Sequence, residues 1–309
     1  MAYILIAAGF ALLLVGGDVL VRGAVGIARR AGLPPLVIGL TLVGFGTSTP
    51  ELLTSVNAAL AGSPGIAVGN VVGSNVANIL LILGVAAMVG PIAVFRTEFR
   101  RDAATLVLAT LLASGLMATG ALGRGAGALL LAGLCAFLVV TLRSGGGVAE
   151  ADEEPEGAPS GAARSWLAFA GGLAGVVVGA DLLVSGATEL ARGLGVSDAV
   201  IGLTIVAIGT SLPELVTSVV AARRGQAGVA LGNVLGSNVF NLLGILGATA
   251  LIAPIPVPRE ILSFDIWVMG AATAALLAVA VTGWRVSRVE GAALLLAYAA
   301  YLGWLGATA

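Results

Sequence analysis

The chain carries the same polar motif twice, and this repetition constrains its fold more than any other feature. The segments GTSTPELLTS at 46–55 and GNVVGSNVANILLILG at 69–84 return as GTSLPELVTS at 209–218 and GNVLGSNVFNLLGILG at 232–247. The offset is 163 residues in both places, and 33 of 53 positions agree between 32–84 and 195–247. Such self-similarity predicts a molecule built from two structurally related halves.

The composition places these halves in a membrane. Of 309 residues, 59% are hydrophobic and 10% are charged, with a mean hydropathy of +1.09, whereas soluble domains carry roughly 25% charged residues. Apolar runs such as 4–15 and 129–142 extend to membrane-spanning length with their flanks. We expect a multi-pass protein of the cell membrane, in contact with the lipid bilayer and not with nucleic acid. Nothing requires more than a monomer.

The apolar pattern predicts an all-α polytopic membrane protein with ten transmembrane helices. The expected spans are roughly 3–28, 34–60, 66–90, 103–120, 125–142, 166–190, 197–222, 228–252, 265–283 and 290–306. They form a first five-helix repeat at 1–142, with its motif region at 39–84, and a second repeat at 166–309, with its motif region at 202–247. An acidic stretch rich in glycine, proline and serine, 143–165, is predicted to be a linker.

Five spans per repeat is an odd number, so the second repeat is expected to enter the membrane inverted relative to the first. Placing both termini outside and the linker in the cytoplasm puts 11 arginines on the cytoplasmic side and 3 outside. The linker could be a solvated tether or a calcium sensor. The tether is favoured because the linker has no EF-hand spacing.

The second span is predicted to break near Thr47 and Ser48, because Pro50 cannot continue the hydrogen-bond ladder of a helix. A carbonyl left free there, such as that of Gly44, could bind a cation; the equivalent carbonyl in the second half is that of Ala207. Thr47 and Glu51 lie four residues apart and share a helix face. One helical turn therefore presents hydroxyls and a carboxylate, and Thr210, Ser211 and Glu214 repeat the set.

The third span carries a polar stripe at four-residue spacing. Its members are Asn70, Ser74 and Asn78, and they return in the eighth span as Asn233, Ser237 and Asn241. Serine and glycine at this spacing are often only packing features in membrane helices. Packing does not explain a glutamate beside a proline in mid-membrane, placed twice. Asn70 and Asn233 could instead cap a helix or lie near a mouth, and the recurring Asp18 and Asp181 are expected to have a structural or gating role, with Asp18 pairing with Arg22.

The combined set offers only oxygen ligands, which suit calcium or sodium and suit zinc or copper poorly. Two glutamates neutralise one Ca²⁺, whereas two bare carboxylates would repel each other or take up a proton. The site must therefore bind a cation before it can move through the membrane interior. This requirement supports coupled exchange of ions rather than an uncoupled leak. The chain has no histidine and one cysteine, so no nucleophile–base set, and hence no enzyme activity and no resident cofactor, is expected.

The doubled motif, GTSTPE…GNVVGSNVAN and GTSLPE…GNVLGSNVFN, resembles the paired α-repeat of the calcium/cation antiporter superfamily, within it the prokaryotic sodium/calcium exchangers. The resemblance implies ten helices in a 5+5 inverted repeat and four central sites arranged in a diamond, where the glutamates of both motifs bind Ca²⁺ and also Na⁺. Carried onto this chain, it implies the ion ligands Thr47, Ser48, Glu51, Ser74, Asn78, Thr210, Ser211, Glu214, Ser237 and Asn241. Some relatives have Asp in place of Asn78 or Asn241, so the sodium stoichiometry is open.

Three functions remain to be separated at this point. The first is a secondary antiporter that expels Ca²⁺ by Na⁺ entry, through alternating access. The second keeps the fold but couples Ca²⁺ to protons, and the third is a cation channel. Inverted repeats around buried paired carboxylates argue against a channel.

Overall fold

The computed structural model describes residues 1–144, 161–194 and 207–308, and within these ranges the chain is built from helices connected by short turns. Most of the predicted linker 143–165 lies outside the described residues, as does the first part of the predicted seventh span.

The helices are numbered here in chain order. They are α1 (Ala2–Ala31), α2 (Pro35–Thr47), α3 (Thr49–Leu60), α4 (Pro64–Val89), α5 (Arg96–Met117), α6 (Arg124–Ser144), α7 (Ala162–Gly193), α8 (Ala207–Thr210), α9 (Leu212–Arg223), α10 (Ala227–Ile252), α11 (Ile261–Val281) and α12 (Arg288–Thr308). Their ends lie within a few residues of the predicted spans wherever both are described, except that α5 begins at Arg96, seven residues before the predicted start at 103.

Seven of these helices are long and apolar enough to cross a membrane, and the count is eight if the bent pair α2 and α3 forms one span. The helix α5 is not among the seven, and its first two turns carry Arg96, Arg100, Arg101 and Asp102. The count of ten spans therefore stays a prediction.

The helices α4 and α10 form the centre of the described structure. In each of them 78% of the most apolar segment is buried, against 11% for α12. The polar stripes of the two motif regions thus lie on the two innermost helices, where an unpaired polar group is costly.

A bend of 43° separates α2 from α3. It falls at Ser48, whose ψ of 10° leaves the helical range, and Pro50 follows within the first turn of α3. Ser211 has the same conformation before α9, with ψ 5° and Pro213 two residues later. The predicted break is confirmed in both halves, and each break presents the start of a new helix to the interior.

Four helices contain short π-helical segments that the sequence pattern does not predict. They are Gly39–Val43, Asn78–Leu83, Phe240–Ile245 and Ile261–Asp265. A π segment widens the turn by one residue and is frequent at functional sites. Two of the predicted ligands, Asn78 and Asn241, lie in such segments.

The expectation of a purely helical chain needs a small correction, because four two-residue strands pair between loops. The strand β1 (Ile92–Ala93) pairs antiparallel with β4 (Arg285–Val286), and β2 (Ala121–Leu122) pairs with β3 (Ile255–Pro256). Each pair joins a loop of the first half to a loop of the second. The pairing requires that both loops of a pair lie at the same end of the helix bundle.

The helices α1 and α7 pack closely through glycines. A Cβ added to Gly16 would lie 2.8 Å from the backbone nitrogen of Val176, and one added to Gly172 would lie 2.3 Å from that of Leu20. Larger residues cannot occupy these positions at this helix separation. The two long helices therefore form a paired unit with an apolar outer face.

Candidate functional site

The site contains two buried glutamates, one from each half, and each contacts a residue of the opposite half. Glu51 lies in the first turn of α3 and Glu214 in the first turn of α9, and their exposed fractions are 1% and 2%. The hydroxyl of Ser48 donates to Oε1 of Glu214 at 2.8 Å, and that of Ser211 donates to Oε1 of Glu51 at 3.4 Å. Each carboxylate is therefore held by a serine at the break of the other half.

Among the described residues, the second oxygen of each carboxylate has no hydrogen-bond partner. Oε2 of Glu51 and Oε2 of Glu214 are both buried, and the two carboxylates are close enough to interact electrostatically. The Oδ1 atoms of Asn78 and Asn241 are also buried without a partner. A buried acceptor without a hydrogen bond destabilises the folded protein, so this arrangement suits a bound cation.

Asn70 and Asn233 fix the backbone at the two glutamates. Nδ2 of Asn70 donates to the carbonyl of Glu51 at 3.1 Å and to Oγ of Ser55 at 2.9 Å. Asn233 repeats this with the carbonyl of Glu214 at 3.2 Å and Oγ of Ser218 at 2.8 Å. Neither asparagine caps a helix by these bonds.

Ser55 and Ser218 were not among the site residues predicted from the sequence. Both belong to the repeated text, four residues after each glutamate and on the same helix face. That spacing, together with their return in the second half, was the signal that could have identified them.

Thr47 connects the halves on the other side of the break. Its hydroxyl lies within hydrogen-bond distance of the carbonyls of Val43 at 3.1 Å and Gly44 at 3.4 Å, and of Oδ1 of Asn233 at 3.2 Å. One hydroxyl proton serves one acceptor at a time. The hydrogen bond from Thr47 to Asn233 therefore competes with its hydrogen bonds to the backbone carbonyls of the preceding helical turn.

The interpretation that Pro50 leaves the carbonyl of Gly44 free is wrong. This carbonyl accepts the backbone N–H of Ser48 at 3.2 Å and the hydroxyl of Ser237 at 3.2 Å. The reason is that the chain turns at Ser48 itself, before the proline, so the N–H of Ser48 still reaches back one turn. Ala207 begins α8, and the residues before it lie outside the described ranges.

The other predicted ligands lie on the elements that surround the glutamates. Ser74 is buried in α4, Ser237 is buried in α10 beside the carbonyl of Gly44, and Thr210 ends α8 and is partly exposed. No group of three or more Asp, Glu, His or Cys side chains occurs in the described part of the chain. The described acidic groups at the site are thus two carboxylates, and its neutral polar groups are hydroxyls and amides.

A second charged contact joins α1 to the end of α9. The carboxylate of Asp18 binds Arg22 on its own helix, which confirms the predicted pair, and it also binds Arg224, which the sequence did not predict. Asp181, its counterpart on α7, is exposed. The two halves therefore differ at this position, although they match at the glutamates.

Comparisons with known proteins agree with this geometry. The family of sodium/calcium exchanger proteins matches residues 1–143 and 164–306. A putative antiporter, CaxA, of Alkalimonas amylolytica is 41% identical over 311 residues, covering 97% of each chain. The sodium/calcium exchanger MaX1 of Methanosarcina acetivorans is 34% identical, again over 97% of each chain.

The solved structure of the sodium-calcium exchanger NCX_Mj, soaked with Na⁺ and Sr²⁺, superposes with a TM-score of 0.87 at 33% identity. The match covers 98% of this chain and 97% of that one. Both halves and the break helices are included in this coverage. The chain belongs to the sodium/calcium exchanger family.

Proposed function

We propose that this chain is a secondary active antiporter that exchanges Na⁺ for Ca²⁺ across the membrane by alternating access, with Ca²⁺ extrusion driven by Na⁺ entry. One observation carries the proposal. Glu51 and Glu214 are buried together, each is held by a serine of the other half, and each keeps one oxygen that no described residue hydrogen-bonds.

The charge of the site matches its proposed substrates. Two carboxylates balance one Ca²⁺, so a loaded site is neutral and can be occluded at low cost in a medium of low dielectric constant. The empty site holds two like charges close together, which opposes its passage through the membrane interior. This difference supports coupled exchange rather than leak, and it supports a transporter rather than an enzyme.

The ligand set also matches. Ca²⁺ takes six to eight oxygen ligands, and the described site supplies carboxylate, hydroxyl, amide and carbonyl oxygens. We assign ion binding to Glu51, Glu214, Thr47, Ser48, Ser74, Asn78, Thr210, Ser211, Ser237 and Asn241, with the carbonyls of Gly44 and Ala207. The carbonyl of Gly44 retains this assignment because a carbonyl oxygen has two lone pairs and can accept further.

The cross-half bonds support alternating access. Ser48 belongs to the first half and Glu214 to the second, so a relative movement of the halves must change the ligand set. An ion between the glutamates stabilises the arrangement in which both are aligned. We propose that the halves are inverted five-helix repeats, with both termini outside and 143–165 in the cytoplasm, and the pairing of β1 with β4 and of β2 with β3 supports this alternation of loops.

Proton coupling is the second candidate, and a specific observation favours keeping it. The buried carboxylate pair has no cation of its own among the described side chains that contact it. Protons could therefore neutralise the returning site as well as sodium ions could. The names of the relatives favour sodium: MaX1 and NCX_Mj are both sodium/calcium exchangers.

Uptake of radioactive Ca²⁺ into proteoliposomes tests the proposal. Vesicles loaded with Na⁺ are diluted into Na⁺-free buffer at fixed pH, and a parallel set carries a proton gradient without sodium. Uptake only with the sodium gradient is the expected result. Uptake only with the proton gradient would establish the second candidate, and uptake that requires neither counter-ion would indicate a channel.

A further inference from the structure

One end of the helix bundle carries a cluster of arginines that the ion site does not use. Arg96 and Arg100 lie one turn apart at the start of α5, and both guanidinium groups stack on the ring of Trp284, at 4.8 Å and 5.6 Å from its centroid. Arg285 follows in β4, and it pairs in register with Ala93 of β1. We call Arg96, Arg100, Trp284 and Arg285 the arginine cluster.

The backbone holds the tryptophan in place. Its carbonyl accepts the N–H of Val94 at 2.9 Å, and its backbone φ is 55°, a positive value that residues other than glycine rarely adopt. The strand pair holds the backbone of Trp284 in this conformation and thereby fixes the position of its side chain. The ring is therefore a fixed platform for two cations.

The charges of the cluster have no ion-pair partner among the described side chains. Within the described residues, Arg96, Arg100 and Arg285 form no ion pair with a carboxylate, whereas neighbouring Arg101 pairs with Asp102. Two guanidinium groups on one ring repel each other. An anion between them would remove this repulsion, and arginine forks bind phosphate groups in two-pronged geometry.

The repeat supplies an internal comparison. Shifted by 163 residues, Arg96 corresponds to Arg259, but Arg100 corresponds to Ser263 and Trp284 to Ala121. The strand pair itself is present at both places, as β1–β4 and as β2–β3. The strand pair therefore does not need the cluster, and the tryptophan with its arginines is an addition to one end alone.

The surface next to the cluster identifies the source of the anion. The exposed face of α5 continues from Arg100 to Leu108 and Leu111, which are 65% and 64% exposed. They lie about 12 Å and about 16 Å further along the helix. Val289, at the start of α12, is also exposed. A row of basic groups above an outward apolar face matches a phospholipid, with phosphate at the interface and acyl chains beside the helix.

We propose that the arginine cluster is a binding site for the headgroup phosphate of an anionic phospholipid. Arg96 and Arg100 bind the phosphate from the platform of Trp284, Arg285 adds charge at its edge, and the exposed leucines of α5 contact the acyl chains. The site is separate from the glutamates, so its occupation is measurable without any transport.

Native mass spectrometry of delipidated protein tests the site, with phosphatidylglycerol and phosphatidylcholine added at equal concentrations. The unchanged chain should retain phosphatidylglycerol preferentially. The variant Arg96→Gln/Arg100→Gln should bind it about tenfold to thirtyfold more weakly, since each basic group near a membrane surface contributes roughly fivefold. The matched control is Arg124→Gln/Arg259→Gln at the other strand pair, which should bind it as the unchanged chain does.

Equal retention by the unchanged chain and the Arg96→Gln/Arg100→Gln variant would overturn the proposal, as would an equal loss in the control. Millimolar inorganic phosphate is added in a third arm, and complete displacement of the lipid would assign the site to a soluble anion. Where the double variant does not fold, Trp284→Leu and Arg100→Lys replace it. Trp284→Leu removes the ring on which the arginines stack, and Arg100→Lys replaces a planar guanidinium fork by a point charge. Both should weaken binding severalfold without affecting phosphatidylcholine.

Discussion

Ser48 and Glu214 are 166 positions apart in the chain, yet the serine hydroxyl donates to the carboxylate at 2.8 Å. The reciprocal bond from Ser211 to Glu51 is longer, at 3.4 Å. Neither glutamate is completed by its own half. The repeat therefore generates one composite site, and the two carboxylates are not held equally in the described conformation.

Replacing either glutamate with its amide should abolish calcium transport. Glu51→Gln and Glu214→Gln each remove one of the two charges that balance Ca²⁺, so the loaded site would carry a net positive charge inside a medium of low dielectric constant. Initial rates of Ca²⁺ uptake in proteoliposomes measure the effect. The control is Glu260→Gln, an exposed acid outside the site, which should transport normally. Near-normal uptake by Glu51→Gln would remove the central claim.

The two serines should differ in their effect. Ser48→Ala loses the shorter bond, and Ser211→Ala loses the longer one, so we expect Ser48→Ala to weaken apparent Ca²⁺ affinity more, by about tenfold or above. Calcium dependence of uptake in the two variants measures this order. A larger loss in Ser211→Ala would mean that the conformation described here is not the one that governs binding.

Asn233 should act as a positioning residue rather than as an ion ligand. It bonds to the carbonyl of Glu214, to Ser218 and to Thr47, so Asn233→Ala disconnects all three. We expect a loss of about 1–3 kcal/mol in stability together with a reduced transport rate, because buried partners are left unpaired. Thermal unfolding and uptake are measured on the same samples.

Ser218→Ala isolates the positioning effect. It removes one bond of Asn233 but leaves the backbone bond to Glu214. If Asn233 works through position, Ser218→Ala should reduce the transport rate in the same direction by a smaller factor. An unchanged rate in both variants would show that the network does not support the glutamate.

The residues of the site were predictable from the sequence because polarity inside an apolar segment is costly and here it is repeated. Thr47, Ser48 and Glu51 stood out for that reason, and the break at Ser48 followed from Pro50. Ser55 did not stand out, because a serine one turn after a glutamate also fits helix packing. Its bond to Asn70 depends on how two helices meet.

Other features could not be predicted because they depend on backbone register or on distant contacts. The π segment Asn78–Leu83 reads as ordinary helix in its side-chain pattern. The bond of Arg224 to Asp18 joins positions 206 apart and has no counterpart in the first half. The carbonyl of Gly44 was predicted to be free because proline lacks an N–H. The turn at Ser48 instead lets the N–H of Ser48 donate to that carbonyl.

The crossing of α2 and α10 should tolerate no added side chain. A Cβ at Gly236 would lie 2.1 Å from the carbonyl oxygen of Leu40, and backbone cannot move aside as a side chain can. We expect Gly236→Ala to destabilise the protein by about 1–3 kcal/mol or more. Thermal unfolding in detergent measures it.

Gly115→Ala is the matched control for that substitution. Gly115 is an exposed residue of α5, and a Cβ there meets nothing within 4 Å among the described residues. Alanine in a helix interior is favoured over glycine by about 1 kcal/mol, so this variant should be as stable as the unchanged chain or slightly more stable. Similar melting temperatures for both variants would show that α2 and α10 separate more readily than their contact indicates.

The contact of Asp18 with Arg224 should affect the transport rate more than stability. It ties α1 to the end of α9, the helix whose first turn carries Glu214. Both side chains are partly exposed, so the pair contributes only about 0–1 kcal/mol to folding. A change in how α1 sits against α9 would instead alter the movement that opens the site.

The test is a double-mutant cycle with Asp18→Asn and Arg224→Gln, read as initial rates of Ca²⁺ uptake. If the pair acts as one unit, each single variant should slow uptake and the double variant should be no slower than either. Arg223→Gln, an exposed neighbour on the same turn, is the control and should transport normally. Effects that multiply in the double variant would show that the two residues act separately, and that Asp18 serves transport through Arg22 within α1.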